Sequence, residues 1–234
     1  MIKWQFQQRI KANQMFSIPR YKRRKGRMIP AQKRALEELW QDYGITGEGV
    51  LDPDAIFGRR APLHLEIGFG MGDALLEMAR AHPENDYLGI EVYLPGVGRL
   101  LQRLREMEIT NVRIDRRDAF VVLDCLPDHC LARVYLFFPD PWAKTRHHKR
   151  RLVQTAFVKK LEQVLECGGL FHAATDWGDY ARHMIGVMEA AEGFINQAGS
   201  GKFYPRPAER PVTKFERRGL RRGHEVRDLL YERI

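Results

Sequence analysis

The chain has 234 residues, 44% of them hydrophobic and 29% charged, with 39 lysines and arginines against 30 acids and a net charge of +9. A chain of this length normally makes one domain and buries about 70% of its unfolded surface, so it needs neither a disulfide framework nor a structural metal to stay folded. The first residues contain no apolar run, no stretch is long and apolar enough for a membrane span, and Cys125, Cys130 and Cys167 suit a reducing compartment. A cytoplasmic protein without membrane contact is the expectation. Cys125, His129 and Cys130 lie close together but lack a second pair at zinc spacing, so no metal is expected.

Residues 1–29 show no apolar period and hold a run, Arg20 to Arg27, in which six of eight residues are basic; a basic arm is expected there. Pro30 opens a helix with Leu36, Leu39, Trp40 and Tyr43 at helical spacing, and Gly44 stops it. Gly44 to Arg60 reads as a loop around Asp52-Pro53. Strands and helices then alternate. Strands are predicted at Leu63–Ile67, Tyr87–Val92, Val112–Arg116, Arg133–Phe138 and Gly169–Thr175. Helices are predicted at Asp73–Ala81, Val97–Met107, Leu152–Leu165 and Tyr180–Glu192. This order predicts an α/β fold, a mostly parallel, doubly wound sheet covered on both faces. The tail from Phe194, with its apolar run Val226–Tyr231, supplies antiparallel edge strands.

In such a sheet, ligands bind beyond the carboxyl ends of the strands, at the point where strand order reverses. The first strand ends in Glu66-Ile67-Gly68-Phe69-Gly70-Met71-Gly72. Glycines allow a sharp turn and close approach of a ligand to the backbone. Asp73 stands where a dinucleotide fingerprint has its third glycine, which favours S-adenosylmethionine over NAD and weighs against an NAD-linked oxidoreductase. Glu66 is placed to accept from the amino-acid end of such a ligand. Glu91, ending the second strand, suits the ribose hydroxyls, and Asp118 with the Ala119 N–H suits an adenine. The fourth strand runs into Pro139-Asp140-Pro141-Trp142, where two prolines stiffen the loop and fix the direction of Asp140.

A second basic cluster follows at once: Lys144, Arg146, His147, His148, Lys149, Arg150 and Arg151. A third holds Arg217, Arg218, Arg221 and Arg222. Three clusters together look like a phosphate-tracking surface rather than a solvated face, which argues against a small-molecule substrate. The segments L-E-I-G-F-G-M-G, G-I-E-V, F-F-P-D-P-W-A-K-T-R-H-H-K-R-R-L, A-T-D-W and R-P-V-T-K-F-E-R-R-G resemble the bacterial tRNA (guanine-N7)-methyltransferases over most of residues 20–234. The chain departs from that family's usual residues at Tyr93, Ala143, Thr145, Arg222 and Arg227, and residues 1–18 fall outside the likeness.

The resemblance implies a Rossmann-like methyltransferase fold, with residues 1–58 as basic arm and helix and 59–234 as the catalytic domain. It implies donor contacts from Glu66, Glu91, Asp118 and Asp140, with Gly68, Gly70 and Gly72 in the donor loop. It further implies substrate contacts from Lys144, Asp176, Thr213, Lys214, Phe215 and Glu216, and RNA contact by Arg146 to Arg151. The expected reaction is methyl transfer from S-adenosylmethionine to guanosine 46 of tRNA, by a monomer or homodimer, with Asp140 as the catalytic group. From the residues alone, Asp176 is equally a helix cap, and Thr213 with Glu216 spells a capping box. Methylation of another RNA or a small molecule, and a catalytically idle nucleic-acid-binding module, are the alternative readings.

Overall fold

The computed structural model describes residues 26–47, 49–213, 216–217, 219, 221, 223 and 225–234. Most of the expected basic arm, and Lys214 and Phe215, lie outside the described residues.

The sheet is built from β1 (Leu63–Ile67), β2 (Asp86–Ile90), β3 (Val112–Asp115), β4 (Leu131–Phe137), β5 (Leu165–Thr175), β6 (Phe194–Asn196) and β7 (Arg227–Arg233), in the order β3-β2-β1-β4-β5-β7-β6. The first five run parallel, whereas β7 pairs antiparallel with both β5 and β6. This is the expected mostly parallel sheet with an antiparallel C-terminal edge. Its order reverses between β1 and β4, so the carboxyl ends of those two strands flank the crevice where such sheets bind ligands.

Alternation along the strands divides the core. Val134 and Leu136 point to one side and Tyr135 and Phe137 to the other, as a period of two requires. The first side is covered by α5 (Ala119–Cys125), α6 (Thr155–Val164) and α7 (Gly178–Glu189). The second is covered by α1 (Pro30–Tyr43), α3 (Asp73–Ala81) and α4 (Leu94–Glu106), with Ala35 and Leu39 of α1 buried among Leu75, Leu100 and Leu101.

Two local expectations are corrected, and one helix that the sequence reading did not assign is added. Residues Pro53–Phe57 form a short helix, α2, rather than loop: Asp52 accepts from the Ala55 N–H, Pro53 sits in the first turn, and Gly58 closes it at φ 69°. Ala119–Cys125 is a helix, although its apolar run carries too short a period to reveal one; Asp118 caps it through the Phe120 N–H at 2.9 Å. The helix expected over Leu152–Leu165 begins at Thr155 and passes directly into β5 at Leu165. Gly168, at φ 79°, is therefore an irregularity inside the strand, where the pairing with β4 shifts register, and not a turn before it.

Candidate active site

The acids singled out in the sequence stand at or just beyond the carboxyl ends of five neighbouring strands: Glu66 one residue before the end of β1, ahead of the glycine loop, Glu91 after β2, Asp118 after β3, Asp140 after β4 and Asp176 after β5. Hydrogen bonds knit these ends together. Gly68 N–H donates to Ile90 O, Glu91 N–H to Asp115 O, and Phe138 N–H to Ala174 O.

In the glycine loop, Gly68 and Gly70 take φ 75° and 60°, and a Cβ built on either meets nothing within 4 Å. The space beside that backbone is open, which is what close approach of a ligand needs. Gly72 serves another end, because a Cβ there would press on Leu100 at 2.8 Å; its smallness seats α3 against α4. The Glu91 carboxylate is fixed by three amides, accepting from Gly70 N–H at 2.7 Å and from Val92 and Tyr93 N–H at 2.8 Å each. Glu66 is only 3% exposed, and its Oε2 has no hydrogen-bond partner. Burial, with the Glu91 charge adding to it, pushes its pKa up to about 8. A buried orphan acceptor beside an open glycine turn fits a ligand that brings a cationic donor, such as the ammonium of S-adenosylmethionine.

On the other side of the crevice, Asp140 and Asp176 are half-buried. Two non-glycine residues in left-handed backbone, Phe138 at φ 51° and Trp142 at φ 46°, bracket the Pro-Asp-Pro turn. Such conformations cost about 1–3 kcal/mol each and persist only where surrounding packing imposes them. Here the Trp142 ring is buried between the Arg150 guanidinium, 4.9 Å from its centroid, and the His147 ring at 6.0 Å.

Lys144, Arg146 and Lys149 are exposed around the 3-10 helix Thr145–Arg150, with His147, His148 and Arg150 half-buried. Arg151 does not join them. It is 1% exposed and turned inward, its Nε donating to Pro141 O at 3.0 Å, so burial separates it from the RNA-facing set expected of the run. Thr213 Oγ1 accepts from the Glu216 N–H at 3.1 Å, one half of the capping box. Glu216, 2% exposed, receives both Nη groups of Arg210 at 2.8 and 2.7 Å and Arg206 Nε at 3.3 Å. Arg210 also pairs with Asp228 of β7 and lies 6.0 Å from the Phe137 and Phe138 rings, which docks this segment beside the Asp140 loop. Sequence reasoning missed Arg210, and it missed Trp177, an aromatic 40% exposed immediately after Asp176. The A-T-D-W string placed Trp177 at a strand end, the one signal that pointed to it.

Residues 60–229 match a family model described as "Putative methyltransferase". The chain is 53% identical over 226 residues to the tRNA (guanine-N(7)-)-methyltransferase of Hydrogenovibrio crunogenus, covering 93% of this chain and 94% of that one. The chain belongs to the tRNA (guanine-N(7)-)-methyltransferase family. Relatives of the same name from Stutzerimonas stutzeri, at 54% identity with 93% and 92% coverage, and Pseudomonas aeruginosa, at 52% with 95% and 92%, extend the match. Solved structures share the fold of this methyltransferase at low identity. An antibiotic-related methyltransferase superposes with a TM-score of 0.54 at 15% identity, covering 80% of this chain and 95% of that one. An rRNA methylase from Streptococcus thermophilus gives 0.51 at 12%, covering 74% and 87%.

Proposed function

We propose that this methyltransferase transfers the methyl group of S-adenosylmethionine to N7 of guanosine 46 in the variable loop of tRNA, giving 7-methylguanosine, in the cytoplasm. The observation that carries the reading is the row of acids on one sheet edge, beside an exposed basic helix, in a chain half identical to proteins of that name. When bound, S-adenosylmethionine supplies an electrophilic sulfonium methyl.

Glu66 receives the donor's ammonium, Glu91 its ribose and Asp118 with Ala119 its adenine, while Gly68 and Gly70 let it lie against the backbone and Gly72 keeps the end of the donor loop close to α4. Guanine N7 carries a lone pair and no proton, so attack needs no general base. The protein's contribution is alignment of the two reactants and stabilisation of charge. Guanine becomes cationic as N7 is alkylated. A carboxylate accepting from its N–H edge follows that change, and this role is given to Asp140 with Asp176 beside it. Trp177 offers a face on which an unstacked base rests, and Lys144, Arg146, His147, His148, Lys149 and Arg150 track phosphates. Substrate contacts are assigned to Thr213, Lys214 and Phe215, next to Glu216 in the sequence.

The test is incubation with unmodified tRNA and methyl-labelled donor, followed by digestion. Label in 7-methylguanosine, absent from a transcript carrying adenosine at position 46, is expected. Label in another nucleoside, or undiminished label in that transcript, overturns the assignment. Asp140→Ala is expected to lower single-turnover rate by a factor of about 100 or more with tRNA affinity little changed, the size seen when a charge-stabilising group is removed.

A further inference from the structure

The Pro139-Asp140-Pro141 turn has an unusual need. Two of its three residues are prolines without an N–H, so the loop has few donors with which to tie itself down and must be held by its acceptors. Its entry is fixed by the Phe138 N–H on Ala174 O at 2.7 Å, and its exit by the buried Trp142 ring. The middle is held by Arg151. Nε donates to the Pro141 carbonyl, one residue beyond Asp140, at 3.0 Å. Nη2 donates to the Asp179 carboxylate and lies 3.0 Å from His148 Nε2. The guanidinium plane rests 4.9 Å from the centroid of Tyr180, whose hydroxyl accepts from the Val153 N–H at 3.2 Å.

Asp179 and Tyr180 lie in the first turn of α7, three and four residues after Asp176. One planar side chain thus spans from the Asp140 loop to the helix that follows the Asp176 loop. We infer that Arg151 is a positioning residue for methyl transfer, joined to Asp179 as a brace that sets the two acid-bearing loops relative to one another, and is not a phosphate contact. The inference rests on the roles given above to Asp140 and Asp176. A planar, always-charged fork suits this task, because it holds a carbonyl, a carboxylate and a ring face at once, which an ammonium does not. Facing RNA would require it to abandon all of these partners. Asp179, 56% exposed, keeps its charge in water, and the Arg151 hydrogen bond leads the effects that lower its pKa.

The two roles predict opposite results. In purified full-length enzyme, Arg151→Lys preserves charge and removes the fork. The brace predicts single-turnover rate at saturating tRNA and donor falling roughly 10- to 100-fold, as small displacements near a reacting centre do, with tRNA affinity and its salt slope unchanged. Asp179→Asn, a change at an exposed carboxylate, is expected to lower the same rate, and the double variant to add little. Should Arg151 grip a phosphate instead, Arg151→Gln lowers the salt slope by about 1 at intact rate. Asp179→Asn then tightens tRNA binding by releasing the guanidinium. Either result overturns the brace, as does a fall in melting temperature with full rate per folded molecule. The wild-type product is identified in parallel. A wild type that methylates a different nucleoside fails the functional reading, while the rate comparison among variants still decides the brace.

Discussion

Glu66 makes the stability of the ligand-free fold depend on pH. Its folded-state pKa, about 8, stands above the ordinary value of 4.5. The unfolded chain releases that proton near 4.5, whereas the folded ligand-free protein keeps it until about 8, so stability falls as pH rises across this window at about 1 kcal/mol per pH unit. Below the window both states are protonated and the penalty is gone. Glu66→Gln removes the titration. In thermal melts of ligand-free protein it should outlast wild type increasingly from pH 5 to pH 8 and match it at pH 4. Donor affinity should move the other way, strengthening with pH in wild type and staying weak and flat in the variant. Equal pH profiles for the two proteins would refute this account. At the same scale, the acids at strand ends were legible because an acid following an apolar run and a turn has few structural places to go. The inward turn of Arg151 was not, since nothing in a row of cations distinguishes the one that finds a carbonyl 10 residues back and a carboxylate 28 residues on. Glu216 was likewise hidden, its partners lying 6 residues before it and, through Arg210, 18 residues beyond that arginine, at Asp228.

Elements divide the work between the two ends of the sheet. At the amino ends, away from the acids, the buried Asn111 side chain donates to Ala79 O at 3.1 Å, His82 O at 3.4 Å and Asn85 O at 2.9 Å, tying the end of α3 to the start of β2. Nearby, Asp86 accepts from Arg59 Nε and Nη2 at 2.9 and 2.7 Å. Asn111→Ala strands buried carbonyls and should cost about 1–3 kcal/mol, read as a lower urea midpoint at unchanged slope. Activity per folded molecule should stay at the wild-type level, and a loss there would show that the two ends are not independent. Parallel strands were legible as short apolar-rich segments between turn signals, even where polar residues interrupt them, as His64 and Glu66 do in β1 and Arg113 in β3. The helices Pro53–Phe57 and Ala119–Cys125 were not, because five to seven residues span barely two turns and leave period undefined; only their caps, Asp52 and Asp118, announced them.

For the molecule as a whole, charge placement matters more than its sum. A net charge of +9 attracts any polyanion, but what the fold adds is position: Lys144, Arg146 and Lys149 are exposed around the short helix that follows the Asp140 loop. Neutralising Arg146 and Lys149 together should weaken tRNA binding and flatten its salt dependence by about 2 in log–log slope, one per lost contact, with rate at saturation preserved. Filter binding across a potassium chloride series reads this directly, and an unaltered slope would remove the pair from the interface. The arrangement of the sheet has a further result for folding. Strand β7 follows β6 in the chain yet is inserted between β5 and β6, and its Asp228 holds the arginine that docks the Thr213 segment. Seating that segment therefore waits on the long-range pairing of β7 with β5, and opening of that pairing releases the antiparallel side of the sheet and the segment beside the Asp140 loop together.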